Sequence, residues 1–316
     1  MSTDSARPAS RASTEGSVAI ELYASAVAIA RTHFRALAHA NTTSLSRLER
    51  VAHALASGAA NPAFGIASVL ASTARDDAAR GVQSAMLAVA AARRQQQSPR
   101  VLRRLALAAL LVDAGRARLA GEASIDLAVF RELPDSLDAL APAASATIGV
   151  AGSPALESAL ITAFEVAWLE RPKLGPLYAG ALEPRSSTRL LLVVRAYLEL
   201  IAPAAGEGSL APLTALERLA ARPDLDPAAL RALIDAVGMP PAGTVVELSG
   251  GEWAVVAQSS SLEPEARKVR LLTNAQGRPE SSGPLVALGE AGAREIFRII
   301  EPSEARFNVV RPFYRG

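Results

Sequence analysis

The sequence predicts a mainly α fold: N-terminal helices, then a larger helical domain, then a small β-rich unit at the C-terminal end. Three observations carry this. Half of the 316 residues are hydrophobic but only 4% are aromatic, so the core must be built of Ala, Leu and Val, which favours helices packed closely through small side chains. Apolar residues recur at helical spacing in successive stretches as far as Val237. After Met239 the pattern changes to short runs rich in Val and Thr around glycine turns. The divisions expected are a disordered tail over residues 1–16, an N-terminal helical segment over 17–62, the helical domain over 63–238 and the β-rich subdomain over 239–316.

Residues 17–39 form a long helical pattern with Ile20, Val27, Ile29, Phe34 and Leu37 near one side, and Asn41–Ser44 breaks it. Ser46 followed three residues later by Glu49 has the spacing of a capping box, which starts a second helix running to about Ser57. Gly58–Pro62 is a turn signal. Helices continue through Ala92, and Gln95–Pro99 is a polar connection. Arg100–Leu111 places Leu102, Leu105, Ala106, Ala109 and Leu110 on one face, and Gly115 supplies backbone freedom at its end. The stretch 133–154, rich in Pro, Ala, Ser and Gly, is the least regular part of the chain. A helix over 155–170 follows, with Leu156, Leu160, Ala163, Phe164 and Ala167 as its stripe and Pro172 as its end. Residues 189–202 form another, terminated by 203–208. Asp226 caps a further helix with Pro227 at its first position; Leu230, Leu233, Ile234 and Val237 line its face, and Gly238 closes it. Residues 244–248 and 253–258 read as strands joined at Ser249–Gly251, and 268–272 as a third strand before Asn274–Gly277. Residues 291–300 read as a short helix.

Composition excludes several classes of function. There is no cysteine, hence no disulfide, thiolate metal site or cysteine nucleophile. The net charge is +2, and acids are interleaved with a basic complement that is nearly all arginine, so no nucleic-acid partner is expected. No apolar run approaches the roughly 20 residues that span a bilayer, and the first residues lack an apolar signal core, so no membrane is expected and the protein reads as cytoplasmic. No Gly-x-Ser-x-Gly elbow, phosphate-binding P-loop or Gly-x-Gly-x-x-Gly turn is present. The three histidines, His33, His39 and His53, all precede the candidate site and read as exposed or half-buried helix residues.

One stretch carries a motif with its key residue replaced. Val112-Asp113-Ala114-Gly115-Arg116 stands where a metal phosphohydrolase has His-Asp-x-Gly-Lys. Residues 75–84, 174–177 and 188–197, with the run from Asp226 through Gly243 to Trp253–Val256, fall in matching order around it. Together they resemble the HD-GYP family, bacterial cyclic di-GMP phosphodiesterases with a helical core and a multi-iron centre, from about Arg31 to the strands after Gly243. The resemblance implies ligand positions at Arg80, Val112, Asp113 and Arg195, a His-His pair near Ala167 and Trp168, and the Gly-Tyr-Pro loop at Gly175–Leu177, with Tyr178 beside it.

Of the metal ligands so implied, only Asp113 is one. Valine has no lone pair, arginines at positions 80 and 195 repel a cation, and one carboxylate does not hold a catalytic iron centre. The vestigial pocket therefore comprises Arg80, Val112, Asp113, Arg116, Trp168 and Arg195. Asp113 either forms a structural salt bridge with Arg80 or Arg195, or those arginines bind a phosphate or carboxylate ligand directly. Trp168 and Trp253 read as packing residues rather than guanine-stacking platforms. The expectation is a catalytically inactive HD-GYP-like protein without metal or other cofactor, a binding, regulatory or scaffold module in bacterial signalling whose partner is another signalling protein. The alternatives are a non-hydrolysing sensor of cyclic di-GMP or another phosphorylated ligand, and a residual metal-dependent phosphodiesterase.

Overall fold

Small side chains let one helix sit at the centre of the others. The structure, a computed structural model, describes residues 8–39, 45–58, 77–113, 154–170, 177–179, 182–203, 208–259, 267–280, 283–288 and 294–304. Its helices are α1 (Pro8–Ala38), α2 (Ser46–Gly58), α3 (Asp77–Arg94), α4 (Pro99–Leu111), α5 (Pro154–Leu169), α6 (Ser186–Ile201), α7 (Pro212–Ala220) and α8 (Pro227–Val237). Most of α3 is buried, and it packs against α1, α2, α4, α6 and α8. Alanines and Gly81 make this possible. A Cβ at Gly81 would stand 3.5 Å from the Ala109 carbonyl oxygen on α4, so the two backbones lie close. Pro227 and the Asp226 carboxylate, which accepts from the Ala229 amide at 2.8 Å, start α8, and Gly238 at φ +80° closes it.

Five strands follow: β1 (Val245–Leu248), β2 (Trp253–Gln258), β3 (Lys268–Leu271), β4 (Leu285–Ala287) and β5 (Ile296–Ile300). They form one antiparallel sheet in the order β4-β3-β2-β1-β5. Val246, Leu248, Ala254, Val256, Val269, Leu271 and Leu288 give it a core of its own. Glu301, just past β5, ties the sheet to the helices: it accepts from the Ala211 backbone amide at 2.9 Å and from the Thr214 hydroxyl at 2.8 Å, at the start of α7.

These features correct several expectations. With a five-stranded sheet beside eight helices among the described residues, the architecture is mixed α/β, not mainly α with a small β unit. The segment read as a short helix ends in β5. Ile296, Ile299 and Ile300 fit helical spacing as well as an edge strand, a usual ambiguity in short apolar runs. Helix α1 begins at Pro8, inside the stretch read as a disordered tail; proline suits a first helical position, and the Ala, Ser and Arg that follow do not oppose a helix. Helix α7 and strand β4 are additions, each too short to declare a period. Phe164, assigned to the buried stripe of α5, is 40% exposed. The turn at 59–62 and the irregular stretch before Pro154 lie outside the described residues. Among the described residues, no helix is long and apolar enough to cross a membrane.

His39 and His53 are exposed, but His33 is buried on α1, and burial pushes its pKa down to about 4. The unfolded chain, with histidine near 6.5, then binds more protons than the folded one between those values. The stability that His33 contributes is complete above pH 6.5 and declines as pH falls toward 4. Between pH 6.5 and 5 the loss is about 2 kcal/mol, checked by comparing urea midpoints of the natural chain and His33→Leu; equal pH slopes in the two would contradict it.

Candidate functional site

Two helix ends and the middle of a third helix bring the site together. Helix α4 opens at Ser98, whose hydroxyl accepts from the Val101 amide at 3.4 Å, continues through Pro99, and ends at Val112. The Val112 amide still bonds to the Ala108 carbonyl, at 3.1 Å, so Asp113 is held at a fixed place just past the last turn. Glu170 occupies the equivalent place on α5, its amide bonded to the Val166 carbonyl at 3.0 Å. Arg195 lies in the middle of α6, among Val193, Val194, Tyr197 and Leu198, all buried.

The Arg195 guanidinium bridges the two carboxylates. Its Nη1 and Nη2 donate to Asp113 Oδ2 and Oδ1 at 2.9 and 3.0 Å. Its Nε and Nη2 donate to Glu170 Oε1 and Oε2 at 2.6 and 3.1 Å. Both edges of the planar fork are thus engaged in bidentate fashion, the geometry in which arginine and carboxylate bind most strongly. The side chains of Arg195, Asp113 and Glu170 are 3%, 1% and 13% exposed, so Arg195 and Asp113 are buried and Glu170 keeps one edge toward solvent. Burial alone lowers the pKa of Arg195, but the charges and hydrogen bonds of Asp113 and Glu170 outweigh it and hold the group well above its ordinary value.

Of the six pocket residues read from the sequence, the structure joins Asp113 to Arg195, and Val112, the C-cap of α4, is buried. Arg80 is half-buried on α3, a helix packed against α6. Trp168 is half-buried two residues before Glu170, its ring tilted 48° against Phe164 with centroids 5.8 Å apart, a packing contact. Arg116 lies outside the described residues. Sequence alone misses Glu170, because a glutamate at a helix end before a proline has the look of a solvated terminus.

A second polar cluster lies on the same two helices. Glu165, buried on α5, accepts from the Tyr178 and Thr188 hydroxyls and, at 3.3 Å, from the Arg185 backbone amide at the start of α6. Its sequence signal is a lone carboxylate within the apolar run 161–169, which implies buried partners. The carboxylate serves as the cap that α6 lacks from its own N-cap residue, and its charge suits the positive end of that helix. The hydrogen bond to Glu165 raises the Tyr178 pKa, helped by burial and the Glu165 charge and opposed by Arg185, so the phenol stays protonated at neutral pH. Of the remnant loop, Leu177 and Tyr178 are described; Gly175 and Pro176 lie outside the described residues.

The site does not suit the metal centre that the resemblance implies. Among the described residues, no three histidine, aspartate or glutamate side chains converge so as to hold a metal ion. The two carboxylates at the relevant helix ends already share a guanidinium. Compared with known proteins, the chain matches no family model, no curated protein and no solved structure.

Proposed function

We propose that the chain is a catalytically inactive, HD-GYP-like protein that works by binding, as a regulatory or scaffold module in bacterial signalling. One observation carries this reading: the Arg195 guanidinium lies between Asp113 and Glu170 and engages both. A phosphodiesterase of the kind resembled needs cations to acidify a water and neutralise phosphoryl oxygens. The triad instead places a monocation between the carboxylates, with both edges of its guanidinium engaged. Val112 contributes no lone pair. The same geometry argues against Arg195 as a phosphate-sensing residue, since a phosphate would have to displace two bidentate carboxylates from a buried group.

The test has two arms. Purified full-length chain is assayed for bound iron and manganese, and for hydrolysis of cyclic di-GMP with each metal supplied. Neither stoichiometric metal nor turnover is expected. Turnover that requires Asp113 would overturn the reading. Calorimetric titration with cyclic di-GMP is expected to give no heat of binding; saturable heat abolished by Arg80→Ala would replace the module with a sensor.

A further inference from the structure

The corner between α3 and α4 gathers five arginines in a stretch of one sign. Arg93 and Arg94 end α3, and Arg100, Arg103 and Arg104 fall in the first turns of α4. The connecting residues are Gln95, Gln96, Gln97, Ser98 and Pro99, and no acid occurs anywhere from 93 to 104. With a net charge of only +2, the rest of the chain is therefore net acidic. Residues 93–100 and Arg103 are exposed; Arg104 is half-buried, with its Nε buried and without a hydrogen-bond partner. Arg185, Arg189, Arg195, Arg222, Arg294 and Arg298 each sit on a carboxylate. Among the described residues, none of the five arginines at this corner does.

Folding does not explain the cluster. Arg93 and Arg94 suit the negative end of α3, but Arg100, Arg103 and Arg104 crowd the positive end of α4, whose first turn carries no acid to balance them. Positions 100, 103 and 104 also share one helix face, so like charges repel there. Such an arrangement costs stability unless an external anion answers it. Apart from Pro99 the exposed positions of the corner are arginines, three glutamines and a serine, with no aromatic ring, so it offers little to insert into a bilayer and nothing to stack on an unpaired base. Guanidinium forks with amide and hydroxyl donors are the groups that contact phosphate and sugar along a duplex.

We propose that the α3–α4 corner is a docking surface for the phosphate backbone of a nucleic-acid duplex, bound without base selectivity. The whole-chain average, in which acids and bases interleave, conceals this local run. The inference is independent of the buried triad and of the proposed function.

The test is fluorescence anisotropy of a labelled DNA duplex of about 20 base pairs, titrated with full-length chain across a range of salt concentrations. Saturable binding at about 50 mM salt that weakens steeply as salt rises is expected. The combined variant Arg93→Gln, Arg94→Gln, Arg100→Gln, Arg103→Gln should raise Kd by at least about tenfold and flatten the salt slope by about 3–4, near 0.9 per lost phosphate contact. Arg218→Gln with Arg278→Gln, exposed arginines elsewhere, should leave Kd unchanged. The thermal midpoint of the combined variant should change little, since removing Arg100 and Arg103 from the positive end of α4 offsets removing Arg93 and Arg94 from the negative end of α3. No duplex binding at low salt, or equal weakening in both variants, overturns the proposal. So does binding confined to vesicles of phosphatidylcholine with about one-third phosphatidylglycerol, which would make the surface a lipid site.

Discussion

Replacing Arg195 by methionine is expected to cost about 3–5 kcal/mol of folding stability, the range for stranding buried charge. Methionine fills much of the volume, so the loss is electrostatic. Asp113 and Glu170 would be left facing each other at the ends of α4 and α5, desolvated and of like sign. Their lowest-energy response is for one to take a proton, which raises its folded-state pKa above the unfolded value. A group raised in this way contributes most below its unfolded pKa, and that contribution fades as pH climbs through the folded value. The destabilisation should therefore be largest near neutrality and shrink toward pH 5, as read from urea midpoints. Arg195→Lys should recover only part of it, because an ammonium cannot engage two carboxylates along two edges. Asp113→Ala should be milder, about 2 kcal/mol, since Glu170 still answers the guanidinium. Removing all three charges together (Asp113→Asn, Glu170→Gln, Arg195→Met) should cost less than Arg195→Met alone. A loss below about 1 kcal/mol for Arg195→Met would mean that water reaches the triad.

The second large effect concerns Glu165. Glu165→Ala should cost about 2–4 kcal/mol, because it leaves the buried Thr188 hydroxyl and the Arg185 amide without their acceptor and removes the anion at the start of α6. Tyr178→Phe should cost under about 1 kcal/mol, since that hydroxyl is near water and the cap on α6 survives. If both variants lost the same amount, Glu165 would be serving mainly the loop that carries Tyr178 and not the helix. Thermal denaturation of the two proteins side by side decides it.

Much of the buried site is legible in the sequence because isolated charge in an apolar helix demands an answer. Arg195 follows Val193 and Val194 and precedes Tyr197; once the helix is recognised, a carboxylate must meet it, and Asp113 at the end of α4 is available. That Glu170 is the second partner is not legible. Its burial depends on how α5 ends against α6, which no local pattern states. Helix α5 hides its orientation for a related reason: Ile161, Phe164 and Trp168 make its outer side as apolar as its inner, so periodicity cannot separate the exposed Phe164 from the buried Ala163 and Val166. Strands β1 to β3 announce themselves through Val-rich runs and the turn at Gly251, where φ is +84°. Strand β5 does not, because its place is fixed by pairing with β1, including Arg298 Nε on Glu247 Oε2 at 2.7 Å, and not by its own alternation. The α3–α4 arginines are plain in the sequence, but only the absence of carboxylates beside them among the described residues sets them apart from paired arginines.

The most direct test of the account is whether a cation can enter between Asp113 and Glu170. The side-chain Nε–H resonance of Arg195, identified by its loss in Arg195→Lys, can be followed by nitrogen–proton NMR as manganese is added. A guanidinium locked on two buried carboxylates should give a sharp, slowly exchanging signal that manganese leaves unbroadened. Selective broadening of that signal at low manganese, or rapid exchange with solvent before any is added, would contradict the central claim.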